Sequence, residues 1–334
     1  MVSRLSLLAS LLLSAPALAE SDWFASLYTG EGVELRADER VFTLFSLLNA
    51  TGFDDAPVTR QYPVPRRVFH PVRQQLRARV LSGEGTLRDQ GQVFFDAHPV
   101  PLERYLAYTL QSASPPFSSG AKAKDLQDLK GLEGVLKSVH AGWSLQDALA
   151  QAQGEYRRAL RPYLATLDEP LLKLRATLKV PENGPSTLVV MNLLDAQGAV
   201  RGSLAENEIA LVVGPSEKAN LEGLLAEYAR VVLDPQVAKK AESGWGNGAA
   251  LLREAQLAGA GEKSVGAYAV ALLSRAAALK ALGAPDAAWD QAAAQGYFGL
   301  KDLSRGFDDA GKPVDAWMLD ALARVEPRKP AVKK

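Results

Sequence analysis

The chain has 334 residues, 38 basic and 38 acidic side chains, three histidines and no cysteine. Removing Arg4 with an amino-terminal signal leaves 37 basic against 38 acidic residues, a balance that argues against a nucleic-acid binder, which carries a basic excess. The absence of cysteine excludes disulfides, thiol catalysis and lipid attachment at a cysteine.

The first segment reads as a secretory signal peptide. Arg4 is its positive end, Leu5 to Leu13 its short apolar run, and Ala17-Leu18-Ala19 an A-x-A cleavage site. The run is shorter than the ~20 residues that a bilayer span needs. The expectation is an exported protein, periplasmic or secreted after cleavage near Ala19, with no membrane span. An exported chain of this size without disulfides fits a bacterial envelope.

Residues 23–36, from Trp23-Phe24 through Val33 and Leu35, read as extended. A helix follows with Asp38 as N-cap. Val41, Leu44, Phe45 and Leu48 recur at helical spacing, and Gly52 closes it. Tyr62-Pro63-Val64-Pro65 is a break. Val72, Leu76 and Val80 share the face of another helix. Gly83 to Gly91 reads as a polar loop, Gln92 to Ala97 as a short strand or extended entry, Leu102 to Leu110 as helix, and Ser112 to Gly120 as an exposed loop. From Asp125 to Lys179 the pattern is helical, cut by Pro162, Pro170 and glycines into three or four pieces.

The texture then changes. Ser186 to Leu194 and Glu208 to Pro215 have strand composition. Between them Asp195 to Gly202 is turn chemistry. The pair predicts a small antiparallel sheet with a helix from Ser216 or Asn220 packed on it through Leu221, Leu224, Leu225 and Tyr228. Strand 208–213 is expected to offer an open edge to an extended peptide. Gly244-Trp245-Gly246-Asn247-Gly248 reads as a flexible loop whose Trp245 is the tryptophan most available for binding. Alanine-rich helices follow: Tyr268 to Leu282 closed by Gly283, Asp286 to Gln295, and Val314 to Val325 after a turn at 295–300. No repeat signature accompanies them. The fold class predicted is α+β, mostly helical. The expected organisation is a signal peptide (1–19), a mainly helical region (20–180), a region with two strands and helices (181–325) and a basic tail (326–334).

One stretch points to a function. In Ala226-Glu227-Tyr228-Ala229-Arg230-Val231-Val232-Leu233-Asp234-Pro235, Glu227 stands where the glutamate of a His-Glu-x-x-His helix stands, with Ala226 and Arg230 at the histidine positions. The order of strand, glycine-containing turn, strand and helix resembles zincin peptidases. The chain is similar to an exported bacterial gluzincin-like family whose pattern is close to His-Glu-Phe-Ser-His-Ser-Phe-x-Asn-Pro. Glu227, the aromatic Tyr228 and Pro235 match it; Asp234 replaces an asparagine. That family's later helix reads Tyr-Leu-Ala-Glu-Ser-Ile-Ile-Arg-Ala. Tyr268 to Ala276 resembles it, with Ala271 in the place of the third ligand, a glutamate. Gln295-Gly296-Tyr297-Phe298 resembles a Lys-Gly-Phe-Tyr turn. Phe69-His70-Pro71-Val72 and Phe95-Asp96-Ala97 echo the family's N-terminal half.

The resemblance implies a zinc-peptidase shell whose three ligand positions, Ala226, Arg230 and Ala271, cannot bind metal. Alanine has no donor atom, and arginine keeps its proton and would repel Zn²⁺. No cofactor is expected and Glu227 is vestigial. Arg230, three residues after Glu227, is expected to pair with it and stand in for the missing cation. Candidate cleft or binding residues are Glu227, Arg230, Tyr228 and Trp245. The function this implies is an inactive peptidase homologue that binds a peptide or partner protein in the envelope. Two alternatives stay open: an active hydrolase with a non-standard site, and a helical scaffolding or interaction protein unrelated to peptidases. His70 or His98 folding back beside Glu227 would favour the first, and the absence of the sheet beside helix 217–232 the second. His70 and His98 each precede a proline and read as helix starts or loop residues; His140 reads as a half-buried helix residue. There is no Gly-x-Ser-x-Gly elbow, no phosphate loop and no dinucleotide fingerprint.

Overall fold

The computed structural model describes residues 26–52, 70–81, 85–113, 117–205, 207–308 and 312–327. Residues 1–19, which read as a signal peptide, Trp23-Phe24, the Tyr62–Pro65 break and the tail from Arg328 lie outside the described residues, as do the side chains of Val80 and Leu81. Among those described, the chain is mostly helical with one small sheet, the α+β class predicted.

The extended start forms β1 (Leu27–Tyr28) and β2 (Glu34–Ala37). Asp38 then caps α1 (Glu39–Ala50), its side chain accepting from the Arg40 N–H. Gly52, at φ +91°, ends the helix in the left-handed region. The helices α2 (Pro71–Leu81), α3 (Gly85–Ala97) and α4 (Leu102–Gln111) follow. A 3₁₀ turn at Lys124–Leu129 leads to α5 (Leu132–Gly142), α6 (Leu145–Thr166) and α7 (Asp168–Thr177). Pro162 lies inside α6 rather than at a cut. Pro170 sits in the first turn of α7, where its missing N–H would have had no partner anyway.

From Gly85 to Ala97 the expected loop and strand are instead the helix α3; residues 83 and 84 lie outside the described residues. Gly91 is the reason its glycine misleads. A Cβ there would sit 2.3 Å from Leu47 Cδ1, so the glycine serves a close approach of α3 to α1 and not a turn.

The sheet is mixed, not antiparallel. Its five strands run in the order β1, β2, β3 (Ser186–Met191), β5 (Glu208–Val213), β4 (Val200–Ala205). β2, β3 and β5 are parallel neighbours, while β1 and β4 are antiparallel to β2 and β5. The apolar runs Leu188–Met191 and Ile209–Val213 are buried throughout, as interior strands covered on both faces should be. β4 begins inside the stretch Asp195 to Gly202 that reads as a turn, and it takes the edge. β5 is therefore interior, paired on both sides, and the expected open edge at 208–213 does not exist. The sheet also joins the two expected regions. The whole helical stretch between β2 and β3 forms the crossover that parallel neighbours require.

After β5 come α8 (Leu221–Gly244), α9 (Gly248–Ala258), α10 (Val265–Ala281), α11 (Asp286–Ala294), α12 (Leu300–Gly306) and α13 (Val314–Leu322). On α8, Leu224, Leu225 and Tyr228 are wholly buried, as the spacing predicts. α10 is buried nearly all round: Tyr268, Ala269, Leu272, Leu273, Ala276 and Ala277 are all inaccessible. Its alanines let α8 and α10 pack closely side by side, which a helix of larger residues would prevent.

Candidate functional site

The site lies where α8 passes beneath the edge strand β4. Asn220 caps α8 by accepting from the Gly223 N–H at 3.0 Å, and its amide donates to Gly198 O at 3.0 Å. The helix start is thus tied to the loop that enters β4.

About two turns on from the cap, Glu227 and Arg230 hold the backbone of Gly202 in β4. The Gly202 N–H donates to Glu227 Oε1 at 2.6 Å. Arg230 Nε donates to the same oxygen at 2.9 Å, and Arg230 Nη2 donates to Gly202 O at 2.9 Å. The two side chains therefore satisfy both backbone groups that an edge strand leaves open at this residue. The close approach requires glycine: a Cβ at Gly202 would meet Val231 Cγ2 at 2.7 Å and Glu227 Cγ at 3.0 Å. Burial opposes the charge on Arg230. Its bond to Glu227 and the nearby carboxylates outweigh that cost, so its pKa rises above the ordinary arginine value. The contact between Glu227 and Arg230 expected from their spacing is formed.

Ala226, Glu227, Arg230 and Ala271 line one cleft of about 530 Å³ between α8 and α10. Glu222, Glu262, Ser274 and Arg275 complete its polar lining together with amides. Arg275 lies 3.9 Å above the Tyr297 ring centre and 3.7 Å from Glu222. The Tyr297 hydroxyl donates to Glu262 Oε1 at 3.1 Å.

Two candidate residues are elsewhere. Tyr228 is inaccessible and faces the core rather than the cleft; burial raises the pKa of its hydroxyl. Trp245 is not exposed: it is 5 % accessible, stacks on Tyr268 and donates from Nε1 to Leu322 O at 3.1 Å. A nearby glycine makes room for the ring instead of freeing it. A Cβ at Gly248 would lie 2.9 Å from the indole.

None of the three histidines lines the cleft. His70 Nδ1 accepts from the Val72 N–H at 3.2 Å at the start of α2, and burial lowers its pKa. His98 stacks on Phe94, and His140 Nε2 meets Glu39 Oε1 at 2.5 Å. Among the described residues, no group of three or more His, Cys, Asp or Glu side chains is arranged to hold a metal ion. Among them, too, no helix is long and apolar enough to cross a membrane.

Sequence reasoning missed Gly202, Ser274 and Glu262. For Gly202 a signal existed, since a glycine within a strand often marks close approach of another group. Ser274 and Glu262 carried none. No protein-family profile, curated protein or solved structure matches this chain.

Proposed function

We propose that the protein is a peptidase-like shell without its metal, exported to the bacterial envelope, whose cleft holds a peptide or a segment of a partner protein without cleaving it. The observation that carries this reading is the convergence of Ala226, Glu227, Arg230 and Ala271, the four positions of the zincin-like resemblance, on one cleft. The sheet packed beside α8 adds support against a purely helical scaffold.

The local chemistry favours binding over hydrolysis. A catalytic glutamate needs a carboxylate free to take a proton from a positioned water. Here Oε1 of Glu227 already accepts from the Gly202 N–H and from Arg230. The Arg230 guanidinium supplies a positive charge next to Glu227, but with its proton locked in place it can neither activate water nor accept a lone pair. With the backbone groups of Gly202 also engaged, a peptide in this cleft would be held by side chains rather than by extension of the sheet there.

The reading is tested on the purified mature protein. Zinc is measured by elemental analysis after dialysis against trace zinc, hydrolysis with a peptide pool, and binding with the same pool by isothermal titration. Less than about 0.1 zinc per chain, no cleavage, and binding abolished by Ala226→Trp are expected. Stoichiometric zinc or zinc-dependent cleavage would overturn the proposal.

A further inference from the structure

We infer that the cleft contains a subsite for the ammonium group of a peptide, received by Glu262 and Ser274. The inference rests on the peptide-binding reading above and names the chemistry of its ligand.

Ser274 is on α10, one turn after Ala271. It is 2 % exposed and lines the cleft, and its buried hydroxyl finds no hydrogen-bond partner among the described residues. Glu262 lies in the segment between α9 and α10. Its Oε1 accepts from Tyr297, while Oε2 is buried without a partner among the described residues. Buried polar atoms are nearly always paired in folded proteins, and a buried carboxylate oxygen most of all. Two such atoms, on residues that line one cleft, point to a place built for donors that come from outside the chain.

The charge balance sets the sign of the group. The cleft lining carries three carboxylates, Glu222, Glu227 and Glu262, and two guanidinium groups, Arg230 and Arg275. Arg230 is engaged by Glu227 and Gly202. Arg275 is held over Tyr297 and beside Glu222. One negative charge is in excess, and Glu262 holds a carboxylate oxygen of the lining that is buried without a partner among the described residues. An ammonium has three donors and no acceptor, so it suits these atoms. The alanines at 226, 271, 288 and 292 give the cleft an apolar wall along which the methylene stem of a lysine can lie. A free amino terminus offers the same group without the stem.

The test uses the whole mature protein and three peptides in isothermal titration. One is acetyl-Ala-Ala-Lys-Ala-Ala-amide, the second has norleucine in place of lysine, and the third is penta-alanine amide with a free amino terminus. At least one amine-bearing peptide should bind about ten-fold or more tightly than the norleucine peptide, as expected for a charge-assisted bond. The tighter of the two identifies the source of the ammonium. Glu262→Gln should remove the preference and Ser274→Ala should reduce it, with circular dichroism showing each variant folded. If the norleucine peptide binds as well as both amines, or if folded Glu262→Gln keeps the preference, the subsite is refuted while the peptide cleft stands. If none of the three binds, both readings fall.

Discussion

Replacing Glu227 tests whether the pair of α8 holds the sheet edge. The Glu227 side chain is 17 % exposed and Arg230 37 %, so the ion pair is partly screened and contributes about 0.5 kcal/mol by itself. More stability comes from the bond donated by the Gly202 N–H, a buried backbone donor facing a carboxylate, in a class that contributes about 1.5–3 kcal/mol. Glu227→Leu removes both and strands the donor, so a loss of about 2 kcal/mol is expected. Glu227→Gln keeps an oxygen for Gly202 and loses only the charge, so it should cost about 0.5–1 kcal/mol. Urea unfolding followed by circular dichroism at pH 7 measures both, and a cycle with Arg230→Met isolates the coupling. The coupling should shrink at high salt, because part of it is an exposed charge interaction. A Glu227→Leu protein within about 0.5 kcal/mol of wild type would refute the reasoning, since the edge of β4 would then not depend on this carboxylate.

Rebuilding the presumed ligands in A226H/R230H/A271E should give a protein that retains about one zinc per chain after dialysis; a folded triple variant without metal would show that the three positions do not converge as a ligand set. Gly202→Ala should destabilise by about 1–3 kcal/mol through overpacking against Val231 and Glu227, read as a lowered urea midpoint, and an unchanged midpoint would contradict the close approach. Asp38 is buried; burial raises its pKa, but its bonds to Arg40 and Arg36 outweigh this and hold it below the ordinary carboxylate value. A depressed carboxylate contributes stability that is complete above the ordinary value of about 4 and is lost as pH falls toward its native value. Asp38→Asn should therefore cost about 3 kcal/mol at pH 7 and flatten the acid limb of a stability–pH curve; a parallel displacement of the whole curve would contradict this linkage.

Much of the local structure was legible. The N-cap at Asp38, the left-handed glycine after α1, the strand runs at 186–191 and 208–213 and the apolar face of α8 all rest on short-range physics: caps, periodicity and side-chain branching. The pairing of Glu227 with Arg230 is equally local, because three residues on a helix bring two side chains together. Glycine was the recurrent source of error. Gly91, Gly202 and Gly248 read as loop or turn residues, whereas each one makes room for a side chain distant in sequence or packed from the next element. A sequence shows that a Cβ is missing but not what fills the space.

The sequence by itself determined the helices that follow caps and apolar periodicity, the two apolar runs that become β3 and β5, and one exclusion: without cysteine there is no thiol chemistry. Only the tertiary structure decided that the sheet is mixed, that β4 rather than β5 is its edge, that Trp245 is covered, and that Ser274 and Glu262 face the same cleft as Arg230. Those outcomes depend on contacts between residues far apart in the chain, set by how faces of helices and strands cover one another, and no local pattern encodes which face meets which.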